Sequence, residues 1–469
     1  MLSPKIKKIT QNCIVTSGDR LELKDEVNFK KVLDQLVWEA VFGQEKDKAS
    51  ARWVIWEAAQ VLGVHPSSNH DFYLARGRGK LPLNFTVPAF NLQGIAYDMA
   101  QALFKVAKKL KVGALICEIA RSEIGYTDQS PEEYVAVILA GAIKAGWQGP
   151  LFIQGDHFQT KLEKPGFPKK GEVQTIKDLI KEAIEAGFYC IDVDTSTLVD
   201  LSQESEEEQQ KPNVKHSLEL FKYTRSIQPP GITVSLGGEI GHVGGKNSTV
   251  EEFRAYMNSF NAGLPTGMAG ICRISIQTGT SHGGVVLPDG SLADIDVDFS
   301  VLAEISRACR EGYQIGGAVQ HGASTLPDQY FKEFVKAEAI EVHLATGFRN
   351  IIMDHPKFPK ELLKEIYDWL DREKQDERKE GQTDQQFYYK LRKKGWGQFK
   401  KETWQISSSI KDEIKGALEK RFTFLFKQLN VPDTQKMVRK LARSLVIHKQ
   451  LTDFGRKKVK RGSSRGLAD

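Results

Sequence analysis

With 469 residues, the chain can bury a large core and carry extensions beyond one domain of about 100–200 residues. Its 40% hydrophobic and 27% charged residues are ordinary globular composition, and it lacks the run of about 18 apolar residues that a membrane span needs. The formal net charge of +6 is too small and too dispersed to predict nucleic-acid binding, and Met1–Lys8 lacks the apolar stretch of a secretion signal.

The first 80 or so residues read as helices, with amphipathic stretches at Val32–Phe42 and Ala51–Leu62, and they end in the Gly/Arg-rich loop Arg76–Lys80. From there strands and helices alternate. The predicted strands are Thr86–Asn91, Ala114–Ile119, Leu151–Asp156, Tyr189–Asp194, Thr233–Gly238, Cys272–Thr278, Ala318–His321 and Val342–Thr346. They are rich in Val, Ile, Leu or Phe without strict alternation, as expected for strands covered on both faces. The predicted helices between them are Ile95–Leu110, Pro131–Ala145, Val173–Ala186, Val214–Ser226, Val250–Phe260, Phe299–Glu311 and Gln329–Ala339, with Gly187 and Gly312 as stop signals. The acidic run Ser202–Lys211 reads as an exposed insertion.

Eight strands in this rhythm predict a (βα)8 TIM barrel over 83–355. It is flanked by an N-terminal helical extension (1–82) and a charged C-terminal helical extension (356–469) bearing Trp369, Trp396 and Trp404. A doubly wound open sheet is the competing arrangement, because counting strands does not prove closure. The five cysteines, Cys13, Cys117, Cys190, Cys272 and Cys309, form no CxxC pair and read as buried free thiols of a cytoplasmic protein. The basic run Arg456–Arg461 reads as a solvated terminus.

Three histidines each follow an apolar strand-like run: His157 in Gln-Gly-Asp-His, His282 in Thr-Ser-His-Gly-Gly, and His321 in Val-Gln-His-Gly-Ala-Ser. In a closed parallel barrel these strand ends share one face, so the three imidazoles would gather into an open Zn²⁺-type site. Asp156 beside His157 is placed to shuttle a proton. Glycine and hydroxyl residues behind His282 and His321 suit an anion, because backbone N–H groups can approach it closely. Glu239 ends the fifth strand and would face the same mouth, as a further ligand or as a group orienting an imidazole. The glycine-rich segment after it is not a nucleotide loop. Ile240 and Asn247 stand where a P-loop needs Gly and Ser/Thr, so a flexible lid containing His242 is expected. Glu118 and Ser122, beyond the second strand, face the mouth on weaker grounds.

Val87-Pro-Ala-Phe-Asn91, Gly155-Asp-His157, Ile191-Asp192, Glu239-Ile-Gly-x-x-Gly-Gly245, Ser281-His-Gly283 and His321-Gly-Ala-Ser324 occur in that order. This series resembles the class II (zinc-dependent) fructose-bisphosphate and tagatose-bisphosphate aldolases. The resemblance implies that His157, His282 and His321 bind a catalytic Zn²⁺, with Glu239 and Asp192 as alternative or auxiliary ligands and a second divalent or monovalent cation admissible. It implies that Asp156 moves the proton of the C4 hydroxyl, and that Gly283, Gly322, Ser324 and Thr346 hold a substrate phosphate. The expected reaction is reversible cleavage of a ketose bisphosphate to dihydroxyacetone phosphate and glyceraldehyde 3-phosphate through an enediolate. The expected partners are a phosphorylated sugar and further copies of the chain in a dimer or larger oligomer, without nucleic acid or membrane.

Two departures stand out. His343 occupies the place of the family's Asn in the last strand motif and becomes a candidate substrate contact. Ala323 and Thr325 replace glycines in the phosphate loop, which stiffens it. A non-catalytic subunit that stabilises a partner aldolase, and a metal hydrolase using the same imidazoles, are the alternative readings.

Overall fold

The structure, a computed structural model, describes residues 1–241, 246–279, 286–288, 297–455 and 467. Its centre is a closed ring of eight parallel strands: β1 (Val87–Asn91), β2 (Ile116–Ala120), β3 (Gly149–Gln159), β4 (Cys190–Asp194), β5 (Ser235–Glu239), β6 (Arg273–Ile276), β7 (Ala318–Gln320) and β8 (Glu341–Leu344). Each pairs with the next, and Glu341↔Val87 through Leu344↔Phe90 close β8 onto β1. The (βα)8 barrel expected from the strand rhythm is therefore present, and the open sheet is excluded. Every strand residue except Gly149 is buried, which explains the absence of alternation in the sequence.

The apolar core lies between the strands and the helices outside them. Helix Ala96–Lys109 buries Met99, Leu103 and Val106, and helix Pro131–Ala145 is buried almost throughout. The expected acidic insertion is partly helix: Ser205 caps helix Glu206–Ile227, and Glu206, Glu207 and Glu208 occupy its positively polarised first turn. Gly187 ends its helix with φ +121°, whereas Gly312 lies inside helix Phe299–Tyr313, whose left-handed stop is Gln314. All five cysteines are free and buried. No helix among the described residues is long and apolar enough to cross a membrane.

The barrel interior is polar instead. Arg273 of β6 donates to Asp192 Oδ1 (2.5 Å) and Gln154 Oε1 (2.8 Å). Gln154 donates in turn to Glu341 (2.7 Å), Asp192 (3.0 Å) and Glu118 (3.2 Å). From below, Tyr73 on helix His70–Gly77 donates its hydroxyl proton to Glu341 and plugs the barrel floor. This network links the interior groups into a rigid base for the layer above it.

Both terminal regions are built into this frame. Strand Val64–Ser67 adds to the lower end of β3, ahead of the point where β4 joins at Gln154. Neither it nor the hairpin Ile14–Ser17/Arg20–Leu23 was expected, since four-residue strands carry little pattern. Helix Ser408–Gln428 lies over β1, where Phe422 and Phe426 meet the Phe90 ring edge-on at 5.3 and 5.6 Å. Residues 447–449 run along helix Glu45–Val61, their carbonyls accepting from Trp53 (2.8 Å) and Trp56 (2.7 Å).

Candidate metal centre

In a regular strand, Asp156 and His157 would point to opposite faces. The pairing of β3 with β4 shifts register between Gly155 and Phe158, and His157 takes a left-handed φ of +40°. This bulge turns both side chains into the barrel mouth. Gly155 is required there, because a Cβ on it would stand 2.4 Å from the Phe158 ring.

Three imidazoles surround the Asp156 carboxylate. Its Oδ1 lies 3.2 Å from His343 Nδ1, 3.7 Å from His321 Nδ1 and 3.9 Å from His157 Nε2. Each ring is anchored through its other nitrogen: His157 Nδ1 on Asp194 (3.1 Å), His321 Nε2 on the Ser275 hydroxyl (2.9 Å) and His343 Nε2 on Glu341 (2.6 Å). Such backing fixes ring orientation and leaves the opposite nitrogen facing the cavity. The ring centroids of His157 and His321 are 4.2 Å apart, and those of His321 and His343 are 4.0 Å apart. All of these side chains are buried.

The electrostatics follow from this crowding. Burial opposes the charge on Asp156, but His157, His343 and His321 together hold its carboxyl well below the usual range. Burial pushes Glu118 and Glu239 up to about 8, and Asp192 up to about 6 despite Arg273. Burial also opposes charge on His343, and Glu118 and Asp156 override it. Asp156 Oδ1, Glu118 Oε1, Glu239 Oε2 and His343 Nδ1 are buried atoms with no partner of hydrogen-bond geometry. Buried acceptors facing imidazole nitrogens are atoms that could hold a divalent cation. His157, Glu239 and His321 bring ligand atoms within 4.8 Å of one another, and so do Asp156, His321 and His343.

The structure thus brings Asp156, His157, His321, Glu239 and His343 together. Asp192 sits one layer lower, held by Arg273, while Asp194, two residues on, reaches His157. His343, expected at the substrate, lies among Glu118, Asp156 and Glu341. Of the residues expected to hold phosphate, Ser324 accepts at its Oγ from Gly347 N–H (3.0 Å), clasping the β7 loop to the start of helix Thr346–Met353. Gly322 there has φ +72°, and a Cβ on Gly347 would meet the Ser324 carbonyl at 2.5 Å. His282, Gly283 and the expected lid with His242 lie outside the described residues.

Asp194, Ser275, Arg273 and Glu341 were not singled out from the sequence. Period-two spacing of Asp192/Asp194 and Glu341/His343 was the available signal, since alternate residues share the inward face.

The fold is a closed parallel barrel whose strand ends carry imidazoles and carboxylates that could hold a metal ion. Residues 83–409 match the model of the class-II fructose-bisphosphate aldolases, and the chain belongs to that family. A fructose-bisphosphate aldolase from Campylobacter jejuni is 16% identical (78% of this chain, 93% of that one, TM-score 0.45). An aldolase from Escherichia coli K12 is 15% identical (78% and 98%, TM-score 0.47). The fructuronate–tagaturonate epimerase of Cohnella laeviribosi is 10% identical (89% and 94%, TM-score 0.51). At these identities the likeness is one of fold. No curated protein matches the sequence.

Proposed function

We propose that the protein is a divalent-metal-dependent aldolase that reversibly cleaves a ketose bisphosphate, fructose-1,6- or tagatose-1,6-bisphosphate, into dihydroxyacetone phosphate and glyceraldehyde 3-phosphate. The observation that carries this reading is Asp156, a buried carboxylate ringed by three imidazoles at the mouth of a barrel of this family. Breaking the C3–C4 bond requires removal of the C4 hydroxyl proton and relief of the negative charge left at C3. Asp156, kept ionised by the imidazoles, takes the proton in cleavage and returns it in synthesis. His157, His321, Glu239 and His282 would hold a cation, Zn²⁺ in this reading, which would supply positive charge against the negative charge developing at C3. The Ser324 loop and the N-terminus of helix Thr346–Met353 bind the substrate phosphate through hydroxyl and backbone N–H groups. In this reading the protein works in the cytoplasm as a homo-oligomer.

A second reading is epimerisation of a keto sugar acid at C4, by cleavage and rejoining of the same bond on the opposite face. It is suggested by the epimerase structure of similar fold, which spans 89% of this chain.

Chelation with EDTA should abolish turnover, and added Zn²⁺ should restore it. A panel of ketose bisphosphates and keto-hexuronates separates the two readings. Activity that survives chelation counts against both.

A further inference from the structure

Tyr73 stands at the opposite end of the barrel from the proposed reaction, in the N-terminal segment that precedes the family-matching residues 83–409. Its side chain is fully buried, and its hydroxyl donates to Glu341 Oε2. Two residues further along β8, His343 shares the inward face with Glu341, and its Nε2 bonds Glu341 Oε1 at 2.6 Å. The Nδ1 edge of the same ring faces Asp156 Oδ1 at 3.2 Å. Successive contacts therefore lead from the N-terminal segment, through the barrel, to the carboxylate that takes the proton.

The donors around Glu341 differ in what else they serve. Gln154 Nε2, which reaches Glu341 Oε1 at 2.7 Å, is divided among Glu341, Asp192 and Glu118. The terminal nitrogens of Arg273 go to Asp192, Gln154 and Ser235, and its Nε stands 3.5 Å from Glu341 Oε2. The Tyr73 hydroxyl has a single proton, and it goes to Glu341. With both its oxygens bonded, the Glu341 carboxylate cannot turn without breaking a bond, so the hydroxyl helps fix the plane in which Glu341 accepts from His343. Tyr73 is itself held from below. Strand Val64–Ser67 pairs with the lower end of β3 just ahead of helix His70–Gly77, and Tyr73 N–H bonds the Asn69 carbonyl in the first turn. Gly316 leaves room for this approach, since a Cβ there would stand 3.2 Å from the Tyr73 Cβ.

We propose that Tyr73 is a positioning residue for Asp156: through Glu341 it sets the orientation of the His343 ring, and through that ring the place of the carboxylate. The role rests on the reading of Asp156 as the proton-transfer group.

The test is Tyr73→Phe in the full-length protein, which keeps the buried ring and removes the hydroxyl. Turnover should fall about 10-fold with KM and metal content unchanged, because proton transfer belongs to the transition state and not to substrate binding. In a Glu341→Gln background the same change should add nothing, because its effect passes through Glu341. The ring-nitrogen NMR resonances of His343, assigned by their loss in His343→Asn, should move in Tyr73→Phe. Phe72→Leu is the control for lost stability: Phe72 is buried on the same helix against Phe85, and its substitution should leave turnover and those resonances alone. Unchanged turnover, unmoved resonances, additive effects of Tyr73→Phe and Glu341→Gln, or an equal loss of turnover in Phe72→Leu overturns the proposal. If the unmodified protein cleaves no ketose bisphosphate, the aldolase reading falls, and the resonances alone decide whether Tyr73 sets the His343 ring.

Discussion

Asp156 and His157 are neighbours in sequence that a regular strand would separate, and the bulge in β3 turns both, the proposed base and the proposed ligand, into the barrel mouth. The consequence is specific to the carboxylate charge. Asp156→Asn keeps the shape and the bonding to the surrounding rings, so the protein should still bind metal while turnover falls about 10²–10⁴-fold. Steady-state kinetics beside metal analysis reads both. Turnover equal to the unmodified enzyme would remove Asp156 from the proton transfer. The Asp-His pair and the His321 segment were legible because strand ends in a parallel barrel share one face. The partners that orient the rings were not, because Asp194, Ser275 and Glu341 come from three different strands and meet only after closure.

Among the elements, helix Ser408–Gln428 does what its place in the sequence does not suggest. It follows the last strand at a distance, yet its Phe422 and Phe426 pack on Phe90 of β1, beside Phe348 from the helix after β8. The helix therefore covers the seam where β8 closes on β1. Phe422 is fully buried, so Phe422→Ala should cost about 3–5 kcal/mol through lost burial and a residual cavity. Urea unfolding measures this. A loss below about 1 kcal/mol would mean that the helix is peripheral to the barrel. The sequence predicted a charged helical extension over 356–469, but no periodicity tells a helix which strand it will cover.

For the whole molecule, the barrel floor sets a pH limit on stability. Burial, with Arg225, Arg273 and Arg78 nearby, lowers the His70 pKa from 6.5 to about 3. The unfolded chain then binds a proton between those values that the folded chain does not, so stability falls as pH drops below about 6.5 and is unaffected above it. Each pH unit in that window costs about 1.4 kcal/mol from this group. His70→Asn should therefore flatten the fall of Tm between about pH 6.5 and 4.5 relative to the unmodified protein. Parallel Tm curves for the two proteins would show that His70 is protonated in the fold.

The sequence alone determined the fold class, and it singled out Asp156, His157, Glu239, His321 and His343, which the structure brings together. Hydrophobic runs of strand length alternating with amphipathic helices leave few architectures, and strand-end residues in a parallel sheet must face one side. Only the tertiary structure decided that Asp192 pairs with Arg273, that Asp194 reaches His157, and that His343 sits among carboxylates. Those outcomes depend on the register of eight strands around a ring and on one bulge. Register is fixed by contacts between segments hundreds of residues apart, which a local pattern cannot express.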